Sequence, residues 1–402
     1  MKNKRLKIMF NTNAMHSTSG YGTQAHDLIP RIANEGYNVA CLSFFGVEGG
    51  RMRWKCQEEC CNGKWPEVLL YPKIADAWGG DAIVPHSRDF GADVVFTLQD
   101  IWVLDPKMLS QINRWIPIVP IDHEPAPRAI VDRLKAAYRI VTYAQFGKDE
   151  LRRNGLHSTY IQHTVDTNIL KPTNDKRAAK KAVGIPPDHF VFGMVGANKD
   201  NPPRKSFQEA IDAFKMFHDK HPNSSLYIHT ILQQAGGFQI LDYIKFLGLE
   251  NNFYYLQPYQ QMFKVGRVGM NSIYNAFDTL LMPSLNEGFG VPAVEAQAAG
   301  VPVITNRFTA MPELVIEGKT GWTCDVLYKR FTPLNAYVGV PDAKSIYEKM
   351  ELSFNADRKA MSVAAREHAV NTYDVDKIFK EKWVPFLEKL EEEIYGKNID
   401  EK

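Results

Sequence analysis

The segment with the most chemistry in it is Asn286-Glu287-Gly288-Phe289-Gly290-Val291-Pro292-Ala293-Val294-Glu295. An apolar run ending at Met282 reads as a buried strand, a glycine-rich turn follows, and Pro292 falls near the first position of a helix. Such a strand–turn–helix presents free backbone N–H groups and the positive end of a helix dipole, a ready site for a diphosphate. Gly288 and Gly290 let a ligand approach the backbone closely. Glu287 stands in the turn and Glu295 about one turn into the helix. Two carboxylates beside a phosphate site suit a polyhydroxylated ligand, since each accepts hydrogen bonds from hydroxyl groups. The plainer reading is a structural turn with two solvated glutamates. A second basic stretch, residues 196–206, lies between a strand and a helix and holds Arg204 and Lys205. A guanidinium grips phosphate oxygens two at a time and an ammonium is a compact charge, so the pair suits a leaving diphosphate; a solvated basic loop is the alternative.

Three smaller sets lie in the N-terminal half. Gly20-Tyr21-Gly22-Thr23-Gln24-Ala25 imitates a dinucleotide fingerprint. Gly20 comes well after the strand end near Thr12, however, and the next strand closes with Ser43-Phe44-Phe45, which offers no acid to a ribose. His123 ends a strand within Asp122-His123-Glu124, where a lone histidine is open to a structural or a functional reading. Gln99-Asp100-Ile101-Trp102 ends the strand before it. An indole face stacks on a sugar while Asp100 and Gln99 bind hydroxyls, and a packed loop is the competing account.

Other signals fail on spacing. Gly318-Lys319-Thr320 is no phosphate-binding loop, because Glu313 stands where its first glycine belongs. Asp374-Val375-Asp376 imitates a metal-binding Asp-x-Asp, but at the start of a terminal helix aspartate caps free N–H groups. Cys56, Cys60 and Cys61 with His86 lack the Cys-x2-Cys pair of a zinc site. No metal is expected.

These residues need a frame, and the chain supplies an alternation of strands and helices. Residues 6–11, 38–44, 93–98 and 116–121 read as strands, with helices over 24–34 and 128–137. Residues 46–65 break the rhythm as an insertion. After a polar stretch over 166–176 with Pro172, the alternation restarts: strand 190–195, helix 206–218 with Phe207, Ile211, Phe214 and Phe217 on one face, then strands 226–230, 278–282 and 301–305. Alternation implies parallel pairing and a doubly wound α/β sheet. The expected domains are 1–172, joined by a returning helix over 373–402, and 173–372; Pro385 predicts a kink in that helix.

Composition sets the outer limits. At 402 residues, 45% hydrophobic and 23% charged, the chain is long enough for two or three folded domains and too apolar for disorder. A net charge of +2 excludes a global basic coat for nucleic acid. Five cysteines, an odd number, suit a reducing compartment. The basic start is followed by an apolar run cut by Lys7 and Asn11, too short for a signal core, and no stretch reaches the ~18 apolar residues of a membrane span. A cytoplasmic protein is expected.

Glu287-x7-Glu295, with Gly288-Phe289-Gly290 inside it, resembles the signature of the retaining glycosyltransferases of family 4. The resemblance continues through Ala296-Gln297-Ala298-Ala299-Gly300-Val301-Pro302, Met311-Pro312-Glu313-Leu314-Val315 and Gly318-Lys319-Thr320-Gly321-Trp322, and upstream through Tyr160-Ile161-Gln162-His163-Thr164-Val165-Asp166. It implies a GT-B fold, two Rossmann-like doubly wound parallel-sheet domains facing a central cleft. It also implies transfer of a sugar from a nucleoside diphosphate sugar to an acceptor hydroxyl, with no tightly bound cofactor. Carried over by residue, Glu287 meets the donor sugar, Glu295 the nucleotide ribose, and 288–290 the sugar hydroxyls and phosphates. Lys205 matches the family's lysine; Ala197 stands where the family has arginine, so that role passes to Arg204. Gly20, Tyr21 and Gly22 then face donor phosphate, His123 the donor sugar, and Asp100 and Trp102 the acceptor. Lacking a nucleophile, the chain is expected to use same-face attack assisted by the leaving phosphate. The acceptor stays open among a glycan, a lipid-linked glycan, a metabolite, a protein and modified DNA. Two rival classes are a nicotinamide-dependent epimerase or dehydrogenase and a non-catalytic sugar-binding protein.

Overall fold

Short runs rich in Val, Ile, Leu and Phe are buried along their whole length here, as in Val94–Leu98, which is what strands covered on both faces require. The computed structural model describes residues 5–55 and 65–396. The chain divides into two units, one of Met1–Ile121, Ala126–Thr164 and Val375–Lys402, the other of Asp122–Pro125 and Val165–Asp374.

The first unit holds β1 (Lys7–Thr12), β2 (Asn38–Ser43), β3 (Met52–Trp54), β4 (Val68–Pro72), β5 (Val94–Leu98), β6 (Trp115–Val119), β7 (Val141–Thr142) and β8 (Thr159–Tyr160). They form one sheet in the order β3-β4-β2-β1-β5-β6-β7-β8, parallel except for the edge strand β3. Chain direction across the sheet reverses between β1 and β5, the place where an open α/β sheet leaves a crevice at its strand C-termini. Met9, Leu42, Val95 and Trp115 build its core with helix residues such as Ile83, Ile130 and Leu151.

The second unit holds β9 (Phe190–Val195), β10 (Ser224–His229), β11 (Phe253–Tyr254), β12 (Thr279–Met282), β13 (Val303–Asn306) and β14 (Gly321–Cys324). Their order, β11-β10-β9-β12-β13-β14, is all parallel and reverses between β9 and β12. Phe192, Phe207, Phe214 and Phe217 are fully buried at its centre, so the apolar face read for the helix Phe207–His218 does line the core. Beyond the sheet, β15 (Val326–Phe331) and β16 (Tyr337–Pro341) make an antiparallel hairpin.

Several elements differ from the sequence reading. Met52–Trp54, within the expected insertion, pairs antiparallel with β4; Cys56, Cys60 and Cys61 lie outside the described residues. The first helix begins at Gly20, not 24, because Ser19 caps it by accepting a hydrogen bond from the Gly22 amide. The second unit takes up the chain at Val165, ahead of the expected 173. In the tail, a π turn over Phe379–Trp383 precedes the helix Val384–Tyr395, whose first turn contains Pro385. A proline ring clashes with the carbonyl four residues back and lacks an N–H, and one wide turn absorbs both defects. That tail packs on its own unit, with the Trp383 and Phe386 rings against Phe96. Among the described residues, no helix is long and apolar enough to cross a membrane.

Candidate functional site

Neighbouring strands with long C-terminal loops bring distant residues together at one sheet edge. β9, β12 and β13 are adjacent in the second unit, and the loops after them carry Arg204 and Lys205, Glu287, and Thr309 respectively. The Leu285 amide donates to the Arg204 carbonyl (2.8 Å), which fixes the first two loops to each other. Arg204 Nη1 donates to the Asn286 carbonyl (2.8 Å) and lies 3.0 Å from Glu287 Oε2. Lys205 Nζ is 2.5 Å from Glu287 Oε1. The Thr309 hydroxyl accepts from the Glu287 amide at 3.2 Å. Gly196, at the end of β9, leaves room for the Lys205 stem, which a Cβ there would meet at 3.0 Å.

Charge is concentrated where water is scarce. Glu287 is only 7% exposed. Burial pushes its carboxyl up, but Arg204 and Lys205 outweigh that and bring it down to about 2. Burial lowers the Lys205 ammonium, and the Glu287 carboxylate opposes it. Two cations thus share one ionised carboxylate, leaving an excess of positive charge.

The helix Val291–Ala298 starts at the same place. Its cap, Gly290, has φ +111°, and its first turn holds no acidic residue. The amides of Gly288, Gly290 and Val291 donate to no group among the described residues. A Cβ on Gly290 would come within 2.7 Å of Met282 Cε and 2.9 Å of Leu314 Cδ1. Gly290→Ala combines this overlap with a left-handed backbone, so it should destabilise the second unit by about 2–5 kcal/mol, read as a lowered urea midpoint. A midpoint equal to the parent's would show that the turn relaxes freely.

The contact expected of Phe289 is through its backbone amide, not its ring. Its ring is buried edge-on against Tyr373, 5.7 Å between centroids, so the ring belongs to the core. Glu295, in the helix, receives a 2.6 Å hydrogen bond from the Tyr274 hydroxyl. Burial, then the Glu295 charge, push the Tyr274 phenol well above its ordinary value, which keeps it a donor.

His123 joins this set through its neighbours. Residues Asp122–Pro125 pack as part of the second unit. His123 Nδ1 lies 2.6 Å from Asp122 Oδ1, and Asp122 Oδ2 accepts from Asn286 Nδ2 at 2.8 Å. Glu124 exchanges both backbone hydrogen bonds with Tyr337 of β16, and its carboxylate meets Lys329 of β15 at 2.5 Å.

The remaining predicted residues belong to the first unit. Gly20, Tyr21 and Gly22 form the first turn of the helix Gly20–Asn34 rather than a free loop. Asp100 precedes a 3-10 turn over Ile101–Val103, where Trp102 is 43% exposed. Gln99 beside them is fully buried, and neither amide atom has a hydrogen-bond partner among the described residues. Asp374 accepts from the Thr167 hydroxyl and Asp376 pairs with Arg31. The sequence reading missed Asn286, Asp122, Thr309 and Tyr274. Asn286 directly precedes Glu287 and Asp122 directly precedes His123, but no spacing links positions so far apart in the chain.

Residues 175–327 match the family described as Glycosyl transferases group 1. A D-inositol 3-phosphate glycosyltransferase of Corynebacterium glutamicum (strain R) is 31% identical over 166 residues, 40% of this chain and 38% of that protein. The capsular polysaccharide biosynthesis glycosyltransferase CapM of Staphylococcus aureus is 28% identical over 196 residues, 48% of this chain and 45% of CapM. The chain thus matches less than half the length of these relatives. Among solved structures, sucrose-phosphate synthase from Thermosynechococcus elongatus superposes with a TM-score of 0.74 at 14% identity, covering 96% of this chain and 99% of that one. Anabaena Alr3699/HepE, solved in complex with UDP and glucose, gives 0.69 at 15% identity, covering 95% and 99%. These two likenesses establish the fold: two Rossmann-like α/β units of the GT-B class. The likeness to the glycosyl transferases group 1 family thus lies in residues 175–327, less than half of the chain.

Proposed function

We propose that this protein transfers a sugar from a nucleoside diphosphate sugar to an acceptor hydroxyl, with retention at the anomeric carbon and without a divalent metal. One observation carries the reading: the buried Glu287 carboxylate is bracketed by Arg204 and Lys205 beside the open amides of a helix N-terminus. A diphosphate entering there finds two cations and aligned N–H donors already in place, and a polyol finds the carboxylate. As the glycosidic bond breaks, charge grows on the phosphate oxygens. Fixed cations and amides stabilise that charge without reorganising, which is the main electrostatic demand of the reaction. Same-face attack, with the leaving phosphate taking the acceptor proton, needs no protein nucleophile. Glu287, already paired with two cations, is poorly suited to attack; detection of a covalent sugar adduct on it would overturn that route.

Uridine diphosphate sugars are the first probes, because HepE was solved with UDP and glucose. Thermal-shift screening of nucleoside diphosphate sugars should find a stabilising donor, and that donor should be hydrolysed slowly in the absence of an acceptor. If no nucleotide sugar stabilises or reacts, the function is not sugar transfer. Within this reading Glu295→Gln should weaken donor binding roughly 10–100-fold, because a charge-assisted bond to a ribose hydroxyl is worth about 1.5–3 kcal/mol. Calorimetry reads the change, and an unaltered affinity would place Glu295 outside the site.

A further inference from the structure

The three polar side chains Asn286, Asp122 and His123 form a relay whose direction is set by chemistry. A carboxylate offers only lone pairs, so the ring nitrogen 2.6 Å from Asp122 Oδ1 must carry the hydrogen. In the neutral ring this leaves a lone pair on Nε2, which has no hydrogen-bond partner among the described residues. The second oxygen of Asp122 is held by the Asn286 amide, which fixes the plane of the carboxylate and therefore of the ring. Asn286 is covalently next to Glu287, so the turn that sets the carboxylate also sets the histidine. The backbone pairing of Glu124 with Tyr337 and its contact with Lys329 hold the same tetrapeptide from its other side. This hairpin lies almost wholly beyond residue 327, where the family match ends.

We propose that Asp122 and Asn286 are positioning residues that lock His123 in the Nδ1–H tautomer, presenting Nε2 as a hydrogen-bond acceptor for a hydroxyl of the donor sugar. The proposal rests on the sugar-transfer reading for its readout in rate, but the tautomer can be observed independently. A ring held only for packing would not depend on which way the hydrogen bonds run.

The experiment is a donor–acceptor swap on the full-length protein. Asp122→Ala removes the acceptor of the ring hydrogen, and Asn286→Ala removes only the amide that orients that acceptor. Asp122→Asn combined with Asn286→Asp reverses the roles: the new amide at 122 donates to the new carboxylate at 286 while its oxygen still accepts from His123. Nitrogen-15 NMR of histidine-labelled protein, with His123→Gln identifying the signal, should show the Nδ1–H form in the parent. That signal should be lost in Asp122→Ala, kept in Asn286→Ala, where the carboxylate still accepts, and kept in the swap. With the donor found by thermal shift, both single variants should lower kcat roughly 10–100-fold with little change in donor KM, the size usual for partners that orient a functional histidine. The swap should restore most of the loss. A Nε2–H form in the parent, or an Nδ1–H signal unchanged in Asp122→Ala, overturns the proposal. So does a folded swap variant with the right tautomer and no recovery of kcat. If no donor reacts with the parent, the sugar-transfer reading fails, and the tautomer signal alone decides whether Asp122 and Asn286 position the ring.

Discussion

Lys205→Ala combined with Arg204→Ala is expected to cut turnover at saturating donor by roughly 10²–10³-fold while weakening donor binding far less, the signature of groups that act mainly on developing charge. Both cations sit within 3.0 Å of Glu287 in the free protein, so they are placed before any ligand arrives. Their removal also strands a buried carboxylate, and breaking a buried pair from one side costs about 3–5 kcal/mol. The pH dependence follows with a definite sign. In the parent, Glu287 titrates near 2, below its unfolded value of about 4.3, so the pairing stabilises the fold fully above about pH 4.3. That stabilisation fades as pH falls toward 2. In the double variant burial acts without the cations and raises the carboxyl, so its charge costs stability at neutral pH and acid relieves the cost. Urea unfolding should show the gap between parent and variant widest at pH 7 and narrowing toward pH 3. A constant gap would mean the carboxylate is not electrostatically coupled to the two cations. Turnover unchanged at saturation, with affinity lost, would confine them to binding.

What the sequence revealed, and what it hid, divides along the distance over which the determining forces act. β9 and the helix after it are written in local apolar periodicity, and Phe207, Ile211, Phe214 and Phe217 are buried as that periodicity requires. Glu287, Arg204 and Lys205 were legible because a glycine turn before a helix and a basic loop after a strand have local signatures. Their meeting was not, since it depends on β9 and β12 being neighbours in the sheet, a fact of topology rather than spacing. The hairpin of β15 and β16 escaped notice because β15 is largely exposed and lacks a clean alternation of apolar and polar residues. Asp122 and Asn286 escaped for a different reason: hydrogen bonds between loops leave no periodicity at all. Phe289 lies inside the motif yet packs its ring against Tyr373, leaving only its backbone at the turn.

Metal and stereochemistry give the sharpest separation between this reading and a metal-dependent transferase of the other large fold. Such enzymes neutralise a leaving diphosphate with a divalent ion held by aspartates. Here the proposed positive charge comes from Arg204, Lys205 and the amides before Val291, and the Asp-x-Asp look-alike is occupied otherwise, with Asp374 bound to Thr167 and Asp376 to Arg31. Transfer should therefore continue at nearly its full rate in excess chelator, with at most a modest effect of Mg²⁺ on product release. A leaving phosphate that stays against these fixed cations remains on the face it departs from. There it can accept the proton of the incoming hydroxyl, which is what the proposed same-side attack requires. An α-linked donor should accordingly give an α-linked product, visible in the anomeric proton signal within the first minutes of reaction, before hydrolysis can blur it. Activity abolished by chelator and restored by Mn²⁺ would transfer the neutralising role from the side chains to a metal. A β-linked product from an α donor would require attack from the opposite face and would overturn retention, though not the hold of Arg204 and Lys205 on the departing diphosphate.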